Sequence, residues 1–323
     1  MIEQPRFKLS IKGKDVTKDI EKYVSSLTYV DYNHGQSDEI QFEVEDTDGK
    51  WRSSWYPEIG VVMELDIEIG NKLRSCGTFE LDELEYSSPP DRMVVKGLAS
   101  QIEKKLRQDN TVAYEKTSLR AIAKVIAKKH NLDLSGNIKD IGFERITQNK
   151  ESDLAFLKAL AEDYGHVIKI YRDKLVFYNL KELESRPAQY DLERKQITSI
   201  VFRDKTEETF REANQEYHDI RKVETLIGET ETEKKTKADR RKIKKRVENI
   251  IQAKEKAESE LYRLNRKKVT ADVEIYGDPY MVAGININLT GWSHFDGKYH
   301  IETSEHSITK SSGYNTTLSL IQV

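Results

Sequence analysis

The sequence lacks several features that mark particular protein classes. Cys76 is its only cysteine, which excludes a disulfide framework and a CxxC metal site within one chain. We expect Cys76 to be a small buried or half-buried side chain. No apolar run approaches the ~18 residues of a membrane span. The N-terminal MIEQPRFKLS lacks the charged-then-apolar pattern of a signal peptide, so export by that route is not expected.

Catalytic and metal-binding signatures are absent as well. No GxSxG, P-loop or Rossmann fingerprint occurs. The Asp46–Gly49 segment resembles a calcium loop, but its glycine comes too early and no glutamate lies at the required distal spacing, which favours a β-turn. His294, His300 and His306 lie six apart, and zinc would need them to converge, so surface or packing roles are expected. The sequence therefore predicts no catalytic, metal or cofactor site.

Charge is abundant and unevenly distributed. Charged residues make up 34% of the chain, yet the formal net charge is only −3, so we expect a heavily solvated surface. Residues 1–100 hold 20 acidic and 12 basic residues, whereas residues 234–268 hold 15 basic and 5 acidic ones. Such asymmetry indicates contact with nucleic acid, a membrane surface or an oppositely charged protein.

Residues 6–100 show the alternation of antiparallel β-strands. Apolar side chains recur at every second position, and the positions between them are often acidic, as at Glu64, Asp66 and Glu68. The phase slips by one near Asp82–Glu83, which predicts a β-bulge or a strand end. Five or more such strands, separated by turn signals, predict a small closed or nearly closed barrel.

The stretch Thr147–Asn179 predicts a capped helix followed by a hairpin. Ser152 is placed to cap the helix, and Gly165 follows its last periodic residue, where a left-handed backbone favours glycine. One helix face is apolar, at Leu154, Leu157, Leu160, Ala161 and Tyr164. An earlier helix is predicted over Leu119–Ile126, capped by Thr117 or Ser118, and Asn131–Gly136 is predicted to be a loop.

Residues 229–268 contain no proline or glycine and many strong helix formers, which predicts a long amphipathic helix. Its apolar positions follow four-three spacing, at Ile243, Val247, Ile250, Ala257, Leu261 and Leu264. The first part, Lys234–Arg246, is dense in basic residues. It is either a solvated helix face or a docking surface for an acidic partner, with some affinity for DNA phosphates. No aromatic residue lies between Lys234 and Ser259, which disfavours stacking on single strands.

Three segments, in order, span nearly the whole chain. The first, Gly35–Ile67, carries a D-x-D-G-x-W-x-x-x-W-x-P-x-x-G pattern, the second, Ser152–Ile170, holds the helix and the start of the hairpin, and the third, Ala283–Leu320, closes the chain. Together they resemble the late control D family of phage tail hub proteins. Residue 302 is Glu where the family pattern has an apolar residue. The matching residues are Asp46, Asp48, Gly49, Trp51, Trp55, Pro57 and Gly60 in the first segment, and Gly284, Phe295, Asp296, Gly297, Tyr299, Ile301, His306, Gly313, Tyr314 and Thr316 in the third.

The predicted fold is α+β, mainly β, with two tube-protein-like β-barrel domains. We place the first barrel at 1–100 and an α+β domain at 101–187. The second barrel takes 188–225 and 267–323, and a basic helical insertion takes 226–266. Trp51 and Trp55 are expected to seal one barrel end.

The resemblance implies a structural baseplate or tail hub protein of a contractile phage tail or phage-tail-like particle. It implies a homotrimer whose two barrels per chain form a ring that adapts a six-fold tail tube to a three-fold central spike. The implied partners are the tail tube protein, the spike protein and other baseplate proteins. The implied location is the virion tail baseplate, after assembly in the bacterial cytoplasm. The chain ends at Val323 directly after its last strand, so a separate spike protein is expected.

Two alternatives stay open, and neither is the leading prediction. The first is a tail-associated peptidoglycan hydrolase, although a glycosidase needs two placed carboxylates and no segment of domain length remains for one. The second is a nucleic-acid binder that uses the basic helix. If the chain is instead part of a hub ring, nucleic acid would at most pass through the central channel of that ring, here called the bore. If Glu64, Asp66 and Glu68 line that bore, like-charge repulsion would keep an anionic cargo from sticking.

Overall fold

The computed structural model describes residues 6–99, 108–171, 173–205, 210–219, 224–231, 239–243 and 247–323, with the backbone alone described between 210 and 243. The described chain is mainly β and forms two compact units. The first takes the described parts of 1–101, 188–201 and 271–320, and the second those of 102–187, 202–270 and 321–323. No helix in the described ranges is long and apolar enough to cross a membrane.

The elements follow in chain order. The first segment holds β1 (Arg6–Ile11), β2 (Lys14–Asp15), α1 (Thr17–Ile20), β3 (Val24–Tyr32), β4 (Glu39–Glu45), β5 (Val62–Ile69), β6 (Lys72–Ser87) and β7 (Arg92–Leu98). The middle of the chain holds β8 (Asp109–Ser118), α2 (Leu119–Lys129), β9 (Asp133–Ser135), β10 (Gly142–Ser152), α3 (Asp153–Asp163), β11 (His166–Tyr171), β12 (Lys174–Asn179) and α4 (Leu180–Ser185). The remainder holds β13 (Tyr190–Glu193), β14 (Ile197–Asp204), β15 (Phe210–Asp219), β16 (Glu224–Glu231), β17 (Asp239–Ile243), α5 (Ile250–Asn265), β18 (Val269–Tyr276), β19 (Asn286–Thr290), β20 (Gly297–Thr309) and β21 (Gly313–Gln322).

One sheet of 13 strands joins the separated segments of the first unit. Its main path runs β14-β18-β21-β20-β3-β4-β7-β6-β5-β1-β2, and β19 pairs with both β20 and β13 off this path. Strands β3 and β20 pair antiparallel, from Tyr32 opposite Thr303 to Ser26 opposite Thr309. Strands from the beginning and the end of the chain therefore share one sheet.

The prediction of two separate barrels is not confirmed, and no closed barrel is found in the described part of the chain. The reason lies at β3, whose edge pairs with β20 rather than with another strand of residues 6–100. The predicted four-part domain division stays a prediction.

The predicted alternation is confirmed within this sheet. Met63, Leu65 and Ile67 are fully buried, and the acidic residues between them lie on the other face. The register of β6 against β7 shifts between Leu81 and Glu83, which confirms the predicted β-bulge. One hydrophobic core runs under β1, β3, β4, β5, β6 and β7 and takes in Tyr314 from β21.

The second unit packs two helices against short sheets. Strand β8 pairs with β10, and β12 lies between β11 and β9. The predicted apolar faces of α2 and α3 are both buried in one core, through Leu119, Ile122, Ala123, Ile126, Leu154, Leu157, Leu160, Ala161 and Tyr164.

The helix ends follow the predicted capping. The Ser118 hydroxyl accepts the Ala121 N–H at 3.3 Å, and the Ser152 hydroxyl accepts the Ala155 N–H at 3.2 Å. Gly165 has the left-handed φ of +66° that closes α3. The hairpin β11–β12 then pairs from His166 opposite Asn179 to Tyr171 opposite Lys174. The prediction of a loop over Asn131–Gly136 is wrong in part, because β9 pairs parallel with β12.

The predicted long helix over residues 229–268 is wrong in its first part. Strand β16 runs to Glu231, β17 covers Asp239–Ile243, and α5 begins only at Ile250, where Asn249 accepts the Gln252 N–H at 2.9 Å. A helix would set like charges four apart along this run, for example Arg240 beside Lys244, and such pairs are destabilising. Residues 234–238 and 244–246 of the basic run lie outside the described residues.

Gly136 packs closely against the backbone of β12 in the second unit. It has a φ of +128°, and an added Cβ would lie 2.0 Å from the backbone oxygen of Phe177 in β12. We expect Gly136→Ala to cost about 3 kcal/mol or more of unfolding free energy, because strain and a backbone clash add. Urea unfolding followed by far-UV circular dichroism measures the loss.

Gly13→Ala is the matched control for Gly136→Ala. Gly13 also has a left-handed φ, of +75°, but nothing lies within 4 Å of an added Cβ. Strain alone should then cost about 1 kcal/mol. Equal losses at the two positions would contradict the clash with Phe177.

Candidate functional site

A cluster of buried polar side chains lies in the first unit, where β3 meets β20. Proteins rarely bury polar groups without hydrogen-bond partners, because an unpaired group costs about 1–3 kcal/mol. We name this cluster the polar seam. It comprises Tyr29 and Asp31 of β3, Arg74 of β6, Ser304 and His306 of β20, and Tyr314 and Thr316 of β21, of which all but the half-buried Arg74 are buried.

His306 is fully buried at the centre of the polar seam. Its ring stacks on Tyr29, with ring centroids 5.8 Å apart and an interplanar angle of 17°. Its Nε2 lies 3.1 Å from the Ser304 hydroxyl, which itself donates to the carbonyl of Met281. Nε2 therefore carries the proton, and Nδ1 accepts from the Tyr314 hydroxyl at 2.9 Å.

Burial keeps the His306 imidazole neutral. It lowers the pKa of His306 to about 4, with a further lowering from the positive charge of Arg74, while Asp31 and Asp278 act in the opposite direction. Burial also raises the pKa of Tyr314 well above its ordinary value. Both side chains are therefore uncharged at neutral pH, which suits a hydrogen-bonded interior.

An ion pair between the half-buried Arg74 and the buried Asp31 completes the seam. The Arg74 guanidinium lies 3.0 Å from the Asp31 carboxylate and 5.9 Å from the centre of the Tyr29 ring. The same carboxylate accepts the backbone N–H of Ala283 at 3.2 Å, so it also holds the connection between β18 and β19. Nearby, Lys72 and Asp278 form a second pair at 2.5 Å.

A second buried chain of hydrogen bonds follows the seam along β20. The Asn33 amide donates to His300 Nε2 at 2.8 Å, and His300 Nδ1 donates to the Asn286 side-chain oxygen at 2.7 Å. All three side chains are buried. The bonds tie β19 and β20 to the end of β3, again joining the two ends of the chain.

The three histidines singled out by spacing have separate surroundings. His306 lies in the polar seam, His300 lies between two asparagines, and His294 is exposed in the short turn before β20. Both ring nitrogens of His300 and of His306 face other protein groups. These two histidines are hydrogen-bonded side chains of the interior, and their predicted packing role stays a prediction.

The Asp46–Gly60 loop is a hydrogen-bonded turn that carries aromatic rings. Asp46 is buried and accepts the Trp51 N–H at 2.9 Å. Hydrogen bonds from Lys50 and Tyr23 lower the pKa of Asp48 to about 2. Both carboxylates thus have protein partners, which fits the predicted β-turn.

The two tryptophans of this loop differ in burial. Trp51 lies in the core, whereas Trp55 is 38% exposed and packs edge-on against Tyr23 and Trp51. They cover one edge of the hydrophobic core rather than the end of a closed barrel.

Two buried carboxylates hold the second unit together. Asp153, at the start of α3, accepts from Lys129 and His130 at 2.7 Å each and from Gln148 at 2.9 Å. Burial raises the pKa of Asp153, but these hydrogen bonds outweigh it and lower the pKa below its ordinary value. Glu184 of α4 pairs with Arg266 and accepts from the Tyr262 hydroxyl.

An open groove in the second unit lies between β8, β10 and the start of α5. Asp140 and Glu144 line it together with Lys116 and Ile251, and all four side chains are exposed. A glycosidase encloses its general acid in an apolar pocket. This groove does not, so it gives no support to the hydrolase alternative.

Sequence reasoning missed the Arg74–Asp31 pair. The burial of Asp31 could have been predicted, because alternate residues of a strand lie on the same face and Leu27 and Tyr29 of that face are buried. No comparable signal marks Arg74. Of the seam residues, His306, Tyr314 and Thr316 belong to the closing motif, and the structure brings all three together.

Two curated phage proteins are similar to this chain in sequence, although no protein-family model matches it. Both are named "Probable baseplate hub protein". The one from Escherichia phage 186 is 29% identical over 176 residues, which are 54% of this chain and 44% of that protein. The one from Escherichia phage P2 is 28% identical over 176 residues, 54% of this chain and 45% of that protein. The matched stretch is thus less than half the length of either relative.

Solved tail proteins share the fold over almost the whole chain. A 43 kDa tail protein of prophage MuSo2 from Shewanella oneidensis has a TM-score of 0.76 at 14% identity, covering 98% of both chains. A tail protein from Neisseria meningitidis MC58 has a TM-score of 0.73 at 12% identity, covering 99% of this chain and 96% of that one. A type VI secretion component from E. coli has a TM-score of 0.61 at 11% identity, covering 98% and 76%. The predicted resemblance to phage tail hub proteins is confirmed.

Removing Asp31 should destabilise the first unit strongly. Asp31→Ala leaves the half-buried Arg74 guanidinium without its carboxylate partner and the Ala283 N–H without its acceptor, and we expect a cost of about 2–3 kcal/mol. All three tryptophans lie in the first unit, so urea unfolding followed by tryptophan fluorescence reports on that unit. Glu58→Ala, which breaks the exposed pair with Lys12, should leave the midpoint unchanged. Equal losses in the two variants would contradict a larger contribution of the Arg74–Asp31 pair than of an exposed pair.

The first unit should lose stability as the pH falls below 6.5. The folded-state pKa of His306 is about 4, below the unfolded value of about 6.5, so between these values only the unfolded chain binds the proton. From pH 7.5 to pH 5 this group alone should remove about 2 kcal/mol.

Variants of two histidines isolate this effect. His306→Gln should flatten the dependence of the unfolding free energy on pH, as followed by tryptophan fluorescence in urea. The same substitution at the exposed His294 should leave the slope unchanged. An unaltered slope in His306→Gln would show that His306 is not the group responsible.

Proposed function

We propose that this chain is a structural baseplate hub protein of a contractile phage tail or a phage-tail-like particle. The observation that carries the proposal is the sequence similarity to two phage proteins named as probable baseplate hub proteins. The fold supports it, because tail proteins match 98% of the chain or more at TM-scores above 0.7. Since the matched stretch is less than half of each curated relative, the role of the whole protein is part of the proposal.

We further propose that three copies of the chain form a ring in the tail baseplate. Each ring would meet the tail tube on one side and a central spike on the other, with other baseplate proteins around it, after assembly in the bacterial cytoplasm. The 13-stranded sheet supports a structural role, because its backbone hydrogen bonds join strands from the beginning and the end of the chain. The polar seam in the first unit and the buried Arg266–Glu184 pair in the second add further connections within each unit.

An acidic face of this sheet suits the lining of a bore. Glu64 and Glu68 are exposed and Asp66 is half-buried, on the face opposite the buried Met63, Leu65 and Ile67. Facing a central channel, these carboxylates would repel an anionic cargo such as DNA. An assembled ring with Glu64 and Glu68 on its outer wall would contradict this part of the proposal.

The proposed role is structural rather than enzymatic. Both curated relatives carry the name of a hub and not of an enzyme. A peptidoglycan zymogram of the purified chain should therefore show no clearing beside a lysozyme control. A clear zone that disappears on mutation of a carboxylate would favour the hydrolase alternative.

Light scattering tests the hub role directly. The purified chain is measured alone, with the spike protein of the same particle, and with the tube protein. We expect a species of about 113 kDa, three times the chain mass of 37.5 kDa, and a complex with each partner. A chain that stays monomeric under all three conditions would overturn the proposal.

A further inference from the structure

A small three-stranded sheet in the second unit has two outer strands of opposite charge. Strand β15 lies in the middle, pairing antiparallel with β16 and parallel with β17. In the described residues, neither β16 nor β17 pairs with a strand on its outer side. Open strand edges present rows of backbone donors and acceptors that invite pairing with another chain.

The charges differ sharply between the two edges. Strand β16 contains Glu224, Glu229 and Glu231 and no basic residue, a net charge of −3. Strand β17 contains Arg240, Arg241 and Lys242 against one aspartate, a net charge of +2. The sequence flanking β17 within Lys234–Arg246 adds six more basic residues. One sheet thus has an acidic edge and a basic edge.

The strand directions make these edges compatible with each other. Because β16 runs antiparallel and β17 parallel to β15, β16 and β17 run in opposite directions. If a second copy in the same orientation continues the sheet, its β16 lies beside β17 of the first copy as an antiparallel pair. The acidic strand of one copy then lies beside the basic strand of the other, and opposite charges across a strand pair are favourable.

We propose that β17 of one copy binds β16 of the next copy, so that the small sheet continues from chain to chain. Opposite edges of the same sheet meet in this contact, which makes it head-to-tail, and a head-to-tail contact closes into a ring when the rotation between successive copies is a whole fraction of a turn. The proposal rests on the ring-forming hub role and supplies one of its interfaces. A second copy is favoured over DNA because the chain itself carries the complementary acidic edge.

Charge reversal at one edge should separate the copies. The edge-reversed variant carries Arg240→Glu, Arg241→Glu and Lys242→Glu, which sets two acidic edges against each other. We expect its self-association constant to fall at least tenfold in sedimentation velocity, relative to the wild-type chain. Wild-type association should also weaken between 50 mM and 500 mM salt, since salt screens exposed charges. The matched control, Lys18→Glu, Lys124→Glu and Lys128→Glu, reverses three exposed charges elsewhere and should associate as the wild type does.

A second variant separates loss of the interface from loss of folding. The edge-swapped variant adds Glu224→Lys, Glu229→Lys and Glu231→Lys to the first three changes, which restores complementarity with the signs exchanged. We expect it to regain association. An edge-swapped variant as monomeric as the edge-reversed one would overturn the proposal, as would an edge-reversed variant that associates like the wild type.

The outcomes also distinguish this interface from the hub role and from DNA binding. Wild-type and edge-reversed chains that both form trimers would leave the hub standing and remove this interface. A wild-type chain that is monomeric alone, with the spike protein and with the tube protein would overturn both. If charge reversal abolishes retention of duplex DNA at low salt but leaves self-association intact, the basic edge is a nucleic-acid site and the proposal fails.

Discussion

The pairing of β3 with β20 is the constraint on which the first unit depends. It brings together side chains such as Asn33 and His300, which are 267 positions apart in the chain. Closing a flexible loop of that length would cost about 5 kcal/mol in entropy. The second unit folds within the intervening chain, which shortens the effective loop. The pairing is then held by backbone hydrogen bonds, by the shared core and by the polar seam.

The polar seam fixes which residues meet across that pairing. A slip of one residue would turn His306 toward the opposite face and leave Ser304, Tyr314 and Asp31 with unpaired groups in a dry interior. Apolar contacts alone would tolerate such a slip better, because they have little directionality. The buried hydrogen bonds therefore contribute specificity of register as well as stability.

Local features of this fold could be predicted from the sequence, because neighbouring residues determine them. Ser118 and Ser152 cap their helices, Gly165 ends α3, and the phase slip at Asp82–Glu83 is a β-bulge. The alternation in β4 and β5 also marked the buried face correctly. The similarity to tail hub proteins needed three ordered segments, since none of them alone is distinctive.

Long-range pairing could not be predicted in the same way. Nothing local in β3 indicates that its edge pairs with β20 instead of closing a barrel. Asp31 alternates with core residues of β3, so its burial can be predicted. Its partner Arg74 lies in β6 next to a β-bulge, where the alternation of buried and exposed positions changes and gives no such prediction. The described part of the basic run, Asp239–Ile243, is a strand and not a helix, because helix propensity is a weak preference that strand pairing and repulsion between like charges override.

Burial of Cys76 has a practical consequence for work in solution. The side chain is 2% exposed, and burial raises the pKa of its thiol well above the ordinary value. Thiol reagents act on the exposed thiolate, and the chain has no other cysteine. The folded protein should therefore react very slowly with thiol reagents. A cysteine introduced at a chosen surface position would carry a fluorophore or spin label at that position alone.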